Sequence, residues 1–364
     1  TCVSHNSVKK LTLMHTTILQ KNYNTQLRNK PNFQTDSIGI VFMNFKSSGI
    51  KPLAALVGTA ILLTPFFSAQ AEEGDWQMKG TLQSYFQTYD GSLVRQGTYN
   101  AGAYLNADYL DSGSLSFGYN YTFVDFEDNV ELTENLFYLS GRYHLYLDAL
   151  PVKLSLRLDG FLGDNTMKYS TNTGGGGMGG GGTTATKVTE TTDISAYQPQ
   201  LAFINYSKTF YVDIGYAYSE YDGIVKTEVD QFTPTIGFGW NESYDWLQLR
   251  GYFINIDESV PVHADDQFDS LEVKYTHWFA DSESIDYLQI TGLFGERLLA
   301  VDPDAAVIYS TADKQTGSLS GSMQWKLLKA IRMLALVTYG QHENESINDE
   351  YDSLLFYLNL QFQW

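Results

Sequence analysis

The sequence predicts an all-β fold: a transmembrane antiparallel up-and-down β-barrel of about fourteen strands, bracketed by about twelve and sixteen. Three observations carry this. Apolar or small residues alternate with polar ones through most of the chain after residue 75, the six tryptophans lie near predicted strand ends, and the chain stops on an alternating run at Trp364. A period of two places the alternating sets on opposite faces of a strand.

The segment before the strands is of a different kind. Residues 1–42 begin on Thr and mix Lys, Asn and Thr without an apolar period, so they read as translated upstream sequence. From Met43, Lys46 and Lys51 supply a basic region, Leu53 to Phe67 an apolar one, and Ala69-Gln70-Ala71 a small-x-small cleavage site. Residues 43–71 therefore read as a signal peptide and 72–364 as the barrel. An uncleaved anchor is the alternative, but the apolar run is shorter than the ~20 residues a spanning helix needs, and it contains Pro65.

Cleavage near Ala71 leaves 16 basic and 41 acidic side chains, a net charge of −25, which opposes a nucleic-acid partner. The one cysteine, Cys2, lies upstream, so the barrel is expected to hold neither a disulfide nor a thiolate metal site. No cofactor is implied.

Alternation is clearest in three strands. Trp76, Met78, Gly80, Leu82, Ser84 and Phe86 alternate with Gln77, Lys79, Thr81, Gln83, Tyr85 and Gln87. Gly317, Leu319, Gly321, Met323, Trp325 and Leu327 alternate with a Ser- and Lys-bearing face, and the run to Trp364 repeats the pattern. The whole set is 76–88, 98–109, 114–126, 135–146, 152–163, 194–206, 209–220, 229–240, 246–256, 268–279, 287–298, 314–327, 331–341 and 352–364. Short connections alternate with longer ones, as in an even barrel with both termini on the short-turn side. The longest, 164–193, contains the run Gly174 to Gly182, broken only by Met178, and reads as a flexible loop that either folds into the pore or stays outside.

A soluble β-sandwich is the competing fold, since alternation alone says only that one face is buried. Against it, the polar faces are often small and uncharged, and all six tryptophans fall near predicted short-turn ends, where indoles favour a bilayer interface. Trp76, Trp240 and Trp325 are the aromatic-belt candidates.

The run Leu354 to Trp364, with Leu358, Leu360, Phe362 and Trp364 on one face, resembles the terminal assembly-signal strand of bacterial outer-membrane proteins. Those proteins most often end in Phe; Trp364 departs from this but keeps the aromatic. Together with the signal peptide and strand pattern, the resemblance is to the Gram-negative outer-membrane β-barrel, porin-like superfamily, and to no particular family within it. It implies location in the bacterial outer membrane. The partners it implies are outer-membrane lipid and lipopolysaccharide, the Sec export machinery and the barrel-assembly machinery, with monomer and trimer both open.

By register, Lys79, Arg142, His144, Lys153, Arg157, Arg250, Lys274, Lys326 and Arg332 face inward, against Asp108, Asp159, Asp213 and Glu272. An unpaired excess of these cations favours anionic solutes; pairing across strands removes the preference. The long loops carry acid, including Glu127, Asp128, Glu131 and Glu134 in one, and Asp257, Glu258, Asp265, Asp266, Asp302 and Asp304 in others. The last six are weak candidates for Ca²⁺ or Mg²⁺, against the plainer reading of a solvated, self-repelling surface.

The expected function is a porin-like channel giving small hydrophilic solutes passive passage, with anion preference if the lumen cations are unpaired. The first alternative is a non-conducting structural or adhesive barrel that binds a partner through its acidic loops. The second is an outer-membrane hydrolase, with His342 beside Glu343 and near Ser346, or His263 among Asp265 and Asp266, as the base.

Overall fold

A computed structural model describes residues 75–147, 149–173, 184–280, 282–302, 304–310 and 313–364. The upstream segment 1–42, the signal peptide 43–71 and the Gly-rich run 174–182 lie outside the described residues.

Fourteen strands close into one barrel. The first seven are β1 (Trp76–Asp90), β2 (Arg95–Tyr109), β3 (Gly113–Phe126), β4 (Glu131–Leu147), β5 (Val152–Thr173), β6 (Thr184–Asn205) and β7 (Phe210–Asp222). Next come β8 (Thr227–Trp240), β9 (Asp245–Glu258), β10 (Gln267–Trp278) and β11 (Ile285–Arg297). A small separate sheet follows, β12 (Val301–Asp302) with β13 (Val307–Ile308), and then β14 (Lys314–Leu328), β15 (Ile331–Asn344) and β16 (Asp349–Gln363) complete the wall.

Each wall strand pairs antiparallel with its neighbours in the wall, and β1 pairs with β16. Closure satisfies the backbone groups that an open sheet edge would expose. The seam ends at Trp364, whose N–H and C=O exchange bonds with Met78 at 3.1 Å each.

The two faces have inverse chemistry. On β1, Lys79, Thr81, Gln83, Tyr85 and Gln87 are buried while Phe86 is exposed. On β16, Ser353, Leu355, Tyr357 and Asn359 are buried, alternating with exposed Leu354, Phe356 and Leu358. Elsewhere on the outside Leu139 is 62% exposed, Leu162 65% and Leu319 60%. A polar interior with leucine and phenylalanine outside is the arrangement hydrocarbon selects, and it would be costly in water. No described helix is long and apolar enough to cross a membrane.

Strands reach beyond the predicted ends at the rim opposite the termini. There β4 starts at Glu131 rather than 135, and β5 and β6 run to Thr173 and from Thr184. The period-two signal fades once both faces are polar, although Thr-rich backbone still pairs. Segment 164–193 is therefore mostly ladder, continuous from Asp164 opposite Asp193 to Thr173 opposite Thr184. β4 last pairs with it at Lys168 and β7 at Asp193, so beyond these residues it stands above the rim as a two-stranded ribbon.

The tryptophans divide between the faces. Trp76 and Trp240 are half exposed on the outer face, and Trp325 shares the outward register of Leu319 and Leu327. Trp246 is 5% exposed, and its indole lies over Gly237 and Gly239, where a Cβ on Gly237 would meet it at 2.6 Å. Trp278 shares the inward register of Lys274 and Thr276. Nearness to a turn does not decide parity, so these two leave the interfacial group.

Candidate functional site in the barrel lumen

The connection between β11 and β14 folds into the lumen rather than over the rim. Leu298, Leu299, Ala300, Val301, Val307 and Ile308 are each 0 to 1% exposed. All of these but Val307 join one apolar cluster with inward-facing Leu136 and Tyr138 of β4, Phe161 of β5, Tyr221 of β7, Tyr252 and Ile254 of β9 and Phe268 of β10. The sequence carries the reason: Leu-Leu-Ala-Val precedes Asp302-Pro303-Asp304 and Ala-Ala-Val-Ile follows it, which makes a hairpin with apolar arms and an acidic tip. Leu299 and Ala306 take positive φ of 51° and 55° to make the bends.

Polar contacts fix the hairpin to the wall. Gln231 of β8 acts as a strand partner for Val301: its Nε2 donates to the Val301 carbonyl at 2.7 Å, and its Oε1 accepts the Val301 N–H at 2.9 Å. Asp304 pairs with Arg250 at 3.1 Å and Lys274 at 3.3 Å, and Asp302 lies 3.7 Å from Arg250. Lys274 also holds Glu272 at 3.0 Å, and Arg250 Nε donates to Thr235 at 3.0 Å. Across the lumen Ser310 donates to Glu134 of β4. At the hairpin base Arg297 lies over the Tyr309 ring at 4.0 Å, and Asp313 pairs with Arg95 at 2.6 Å.

This corrects the placement of three acids. Asp302 and Asp304 are not on a self-repelling outer surface, because the apolar arms on either side carry them inside. Glu134 belongs to β4 rather than to a loop and is 2% exposed. The other metal candidates stay at the outer rim. Glu258 accepts a bond from His263 at 2.6 Å and from the N–H groups of Val262 and His263. Asp257 closes β9 beside it, and Asp265 and Asp266 lie in the loop before β10. Among the described residues no group of His, Cys, Asp and Glu has metal-site geometry.

Most of the predicted lumen cations are matched by acids. Lys79 pairs with Asp108 at 2.5 Å and Arg157 with Asp159 at 2.8 Å. Lys326 and Arg332 share Asp286 at 3.3 and 2.9 Å. With Arg250 and Lys274 on the hairpin, six of the eight lysines and arginines have a carboxylate within ion-pair distance, while Arg142 and Lys153 have none among the described residues. Sequence reasoning missed Gln231, Arg95, Arg297, Asp286 and Asp313. Of these, Arg95, Asp286 and Asp313 lay in predicted connections, where no register could be assigned.

The histidines meet partners other than the suggested ones: His263 pairs with Glu258 at 2.6 Å rather than with Asp265 or Asp266. His342 lies on β15, buried, with its Nε2 2.9 Å from Ser353 Oγ and its ring stacked on Tyr351; Ser346 sits in the next turn, its N–H bonded to Asn344. His144 bonds Ser155 at 2.8 Å on the inner wall. The terminal-strand positions Leu358, Leu360, Phe362 and Trp364 share the outer face, with Leu358 46% exposed.

No family model matches the chain, and no curated protein matches it. Among solved structures it is similar to the CymD monoaromatic hydrocarbon channel, at 9% identity over 84% of this chain and 92% of that one, TM-score 0.46. It is similar to the Pseudomonas putida toluene transporter TodX at 10% identity over 88% of this chain and 94% of that one, TM-score 0.45. It is also similar to the Acinetobacter baumannii outer membrane protein Omp33 at 12% identity over 80% of this chain and 100% of that one, TM-score 0.39. On its own geometry the chain is a closed fourteen-strand antiparallel barrel with an apolar outer face, and no family is identified.

Proposed function

We propose that the protein is a gated outer-membrane channel for small hydrophilic solutes, closed by the hairpin whose described arms are 298–302 and 304–308 and opened when that hairpin leaves Arg250 and Lys274. The observation that carries this reading is an apolar hairpin seated by noncovalent contacts on an apolar stretch of inner wall, inside a barrel whose remaining inward residues are mostly Ser, Thr, Asn, Gln and charges. A segment attached at both ends and seated on noncovalent contacts can be displaced without disturbing the wall ladder. Export by the signal peptide, with cleavage near Ala71, and recognition of the strand ending at Trp364 by the assembly machinery complete the reading. Anion preference rests on Arg142 and Lys153 alone, because the other predicted cations are matched by acid.

Planar-bilayer conductance tests it. The protein should give rare, brief openings, and replacement of 299–308 by a short Gly-Ser link should give steady steps whose reversal potential in a salt gradient favours anions. If neither protein gives steps, the barrel is a non-conducting structural or adhesive one; cation selectivity would remove the preference assigned to Arg142 and Lys153.

A further inference from the structure

We infer that the inner wall formed by β4, β5 and β6 holds an oxyanion-binding site, centred on Arg142 and Lys153, for a phosphate- or carboxylate-bearing solute. Its biological use rests on the channel reading; the binding itself does not. Arg142 and Arg157 are direct cross-strand partners with inward side chains. Like charges so placed destabilise a sheet unless something compensates them. Arg157 is compensated by Asp159, which also accepts the Tyr138 hydroxyl at 2.9 Å. Among the described residues Arg142 has no such partner. Two inward positions further along β5 toward the terminal rim, Lys153 faces the lumen on the far side of the His144–Ser155 pair at 2.8 Å.

The surroundings offer donors, and the acids near them are either engaged, as Asp159 is by Arg157, or at the turn, as Asp111 is beside Tyr146, the cross-strand neighbour of Lys153. Ser114 flanks Arg142 on β3, and Gln200 flanks Arg157 on β6. The nearest carboxylate along this rung, Asp108, is opposite Ser114 on β2 and is already held by Lys79 at 2.5 Å; Asp213 lies beyond β6, on β7. A guanidinium presents a planar fork that suits phosphate and carboxylate, and the ammonium adds a point charge. Arg142 and Lys153 are half-buried, so the site opens to solvent while its walls are protein. A low-dielectric cleft in which cations outnumber unengaged acids concentrates the opposite ion.

Calorimetric titration of the detergent-purified protein with inorganic phosphate and with acetate, against chloride at equal ionic strength, decides the matter. Saturable binding is expected, weakened by about tenfold or more in Arg142→Gln and several-fold in Lys153→Gln, and unchanged in Lys326→Gln, whose charge is matched by Asp286. Arg142→Lys should fall between, and the tighter of the two anions identifies the solute class. No saturable binding of either anion, or equal affinity in Arg142→Gln barrels shown to be folded by heat-modifiable mobility, would overturn the site. The titration involves neither voltage nor flux, so a barrel that binds but does not conduct loses only the channel reading, and one that conducts but does not bind loses only this inference.

Discussion

Asp304 is the tip of the hairpin and the residue whose loss should be most informative, since it carries ion pairs to both Arg250 and Lys274, at 3.1 and 3.3 Å. Removing one partner of a buried pair costs about 3–5 kcal/mol. Three facts reduce that here: the Asp304 side chain is 12% exposed, Asn keeps the shape and one acceptor, and Lys274 retains Glu272 at 3.0 Å. About 2–3 kcal/mol should remain, which shifts the open-to-closed ratio of the hairpin by about 30- to 150-fold. The assay is thiol labelling of Val307→Cys on a Cys2→Ser background, because Val307 is 1% exposed and reacts only when the hairpin leaves. Labelling should be about 30- to 150-fold faster with Asp304→Asn and close to the parent rate with Asp304→Glu. An unchanged rate in Asp304→Asn would show that the ion pairs do not latch the hairpin.

Two further outcomes follow from the outer face and the rim. Leu139→Arg places a charge on an outward position that is 62% exposed and should cost about 2–4 kcal/mol of barrel stability in vesicles, measured by denaturant titration; an unaffected barrel would refute lipid contact at that position. At the rim, burial alone would raise the Glu345 carboxyl, but Lys314 at 2.8 Å and the Ala264 N–H at 3.0 Å hold it below the ordinary carboxylate range. A depressed folded value means that the clasp contributes fully above the unfolded value of about 4.3 and is lost as pH falls through the folded one. Amide exchange at Ala264 should therefore accelerate on acidification and become pH-insensitive, beyond intrinsic exchange, in Glu345→Gln.

The wall was legible because its determinant is local: Leu354, Phe356 and Leu358 against Leu355, Tyr357 and Asn359 fix a strand and both its faces within six residues. The lumen was not, because its determinants lie on different strands. Lys326, Arg332 and Asp286 meet from β14, β15 and β11, and no spacing in the sequence shows that one carboxylate serves two cations. The parity of Trp246 turned on where β9 begins, a boundary that the turn at 241–244 obscures. Segment 298–308 offered a cue that was passed over: eight apolar residues around two aspartates make an improbable surface loop, and buried placement follows from composition before any register is known.

Wall and hairpin are matched to each other. Inward positions toward the ribbon rim include Leu136, Phe161, Ile194, Tyr221 and Ile254, all 0 to 2% exposed, and each would face water in the lumen if the hairpin were elsewhere. Burial of side chains such as Leu298, Leu299, Val301, Val307 and Ile308 is worth about 1.5–3 kcal/mol each, so apolar contact, rather than the ion pairs, makes the closed state the resting one. The charges at Asp302 and Asp304 then have a different consequence: they fix which wall the tip meets, because only β9 and β10 present Arg250 and Lys274 at that depth. It follows that neutralising Asp304 should speed opening without leaving the lumen open, whereas removing the apolar arms should abolish closure.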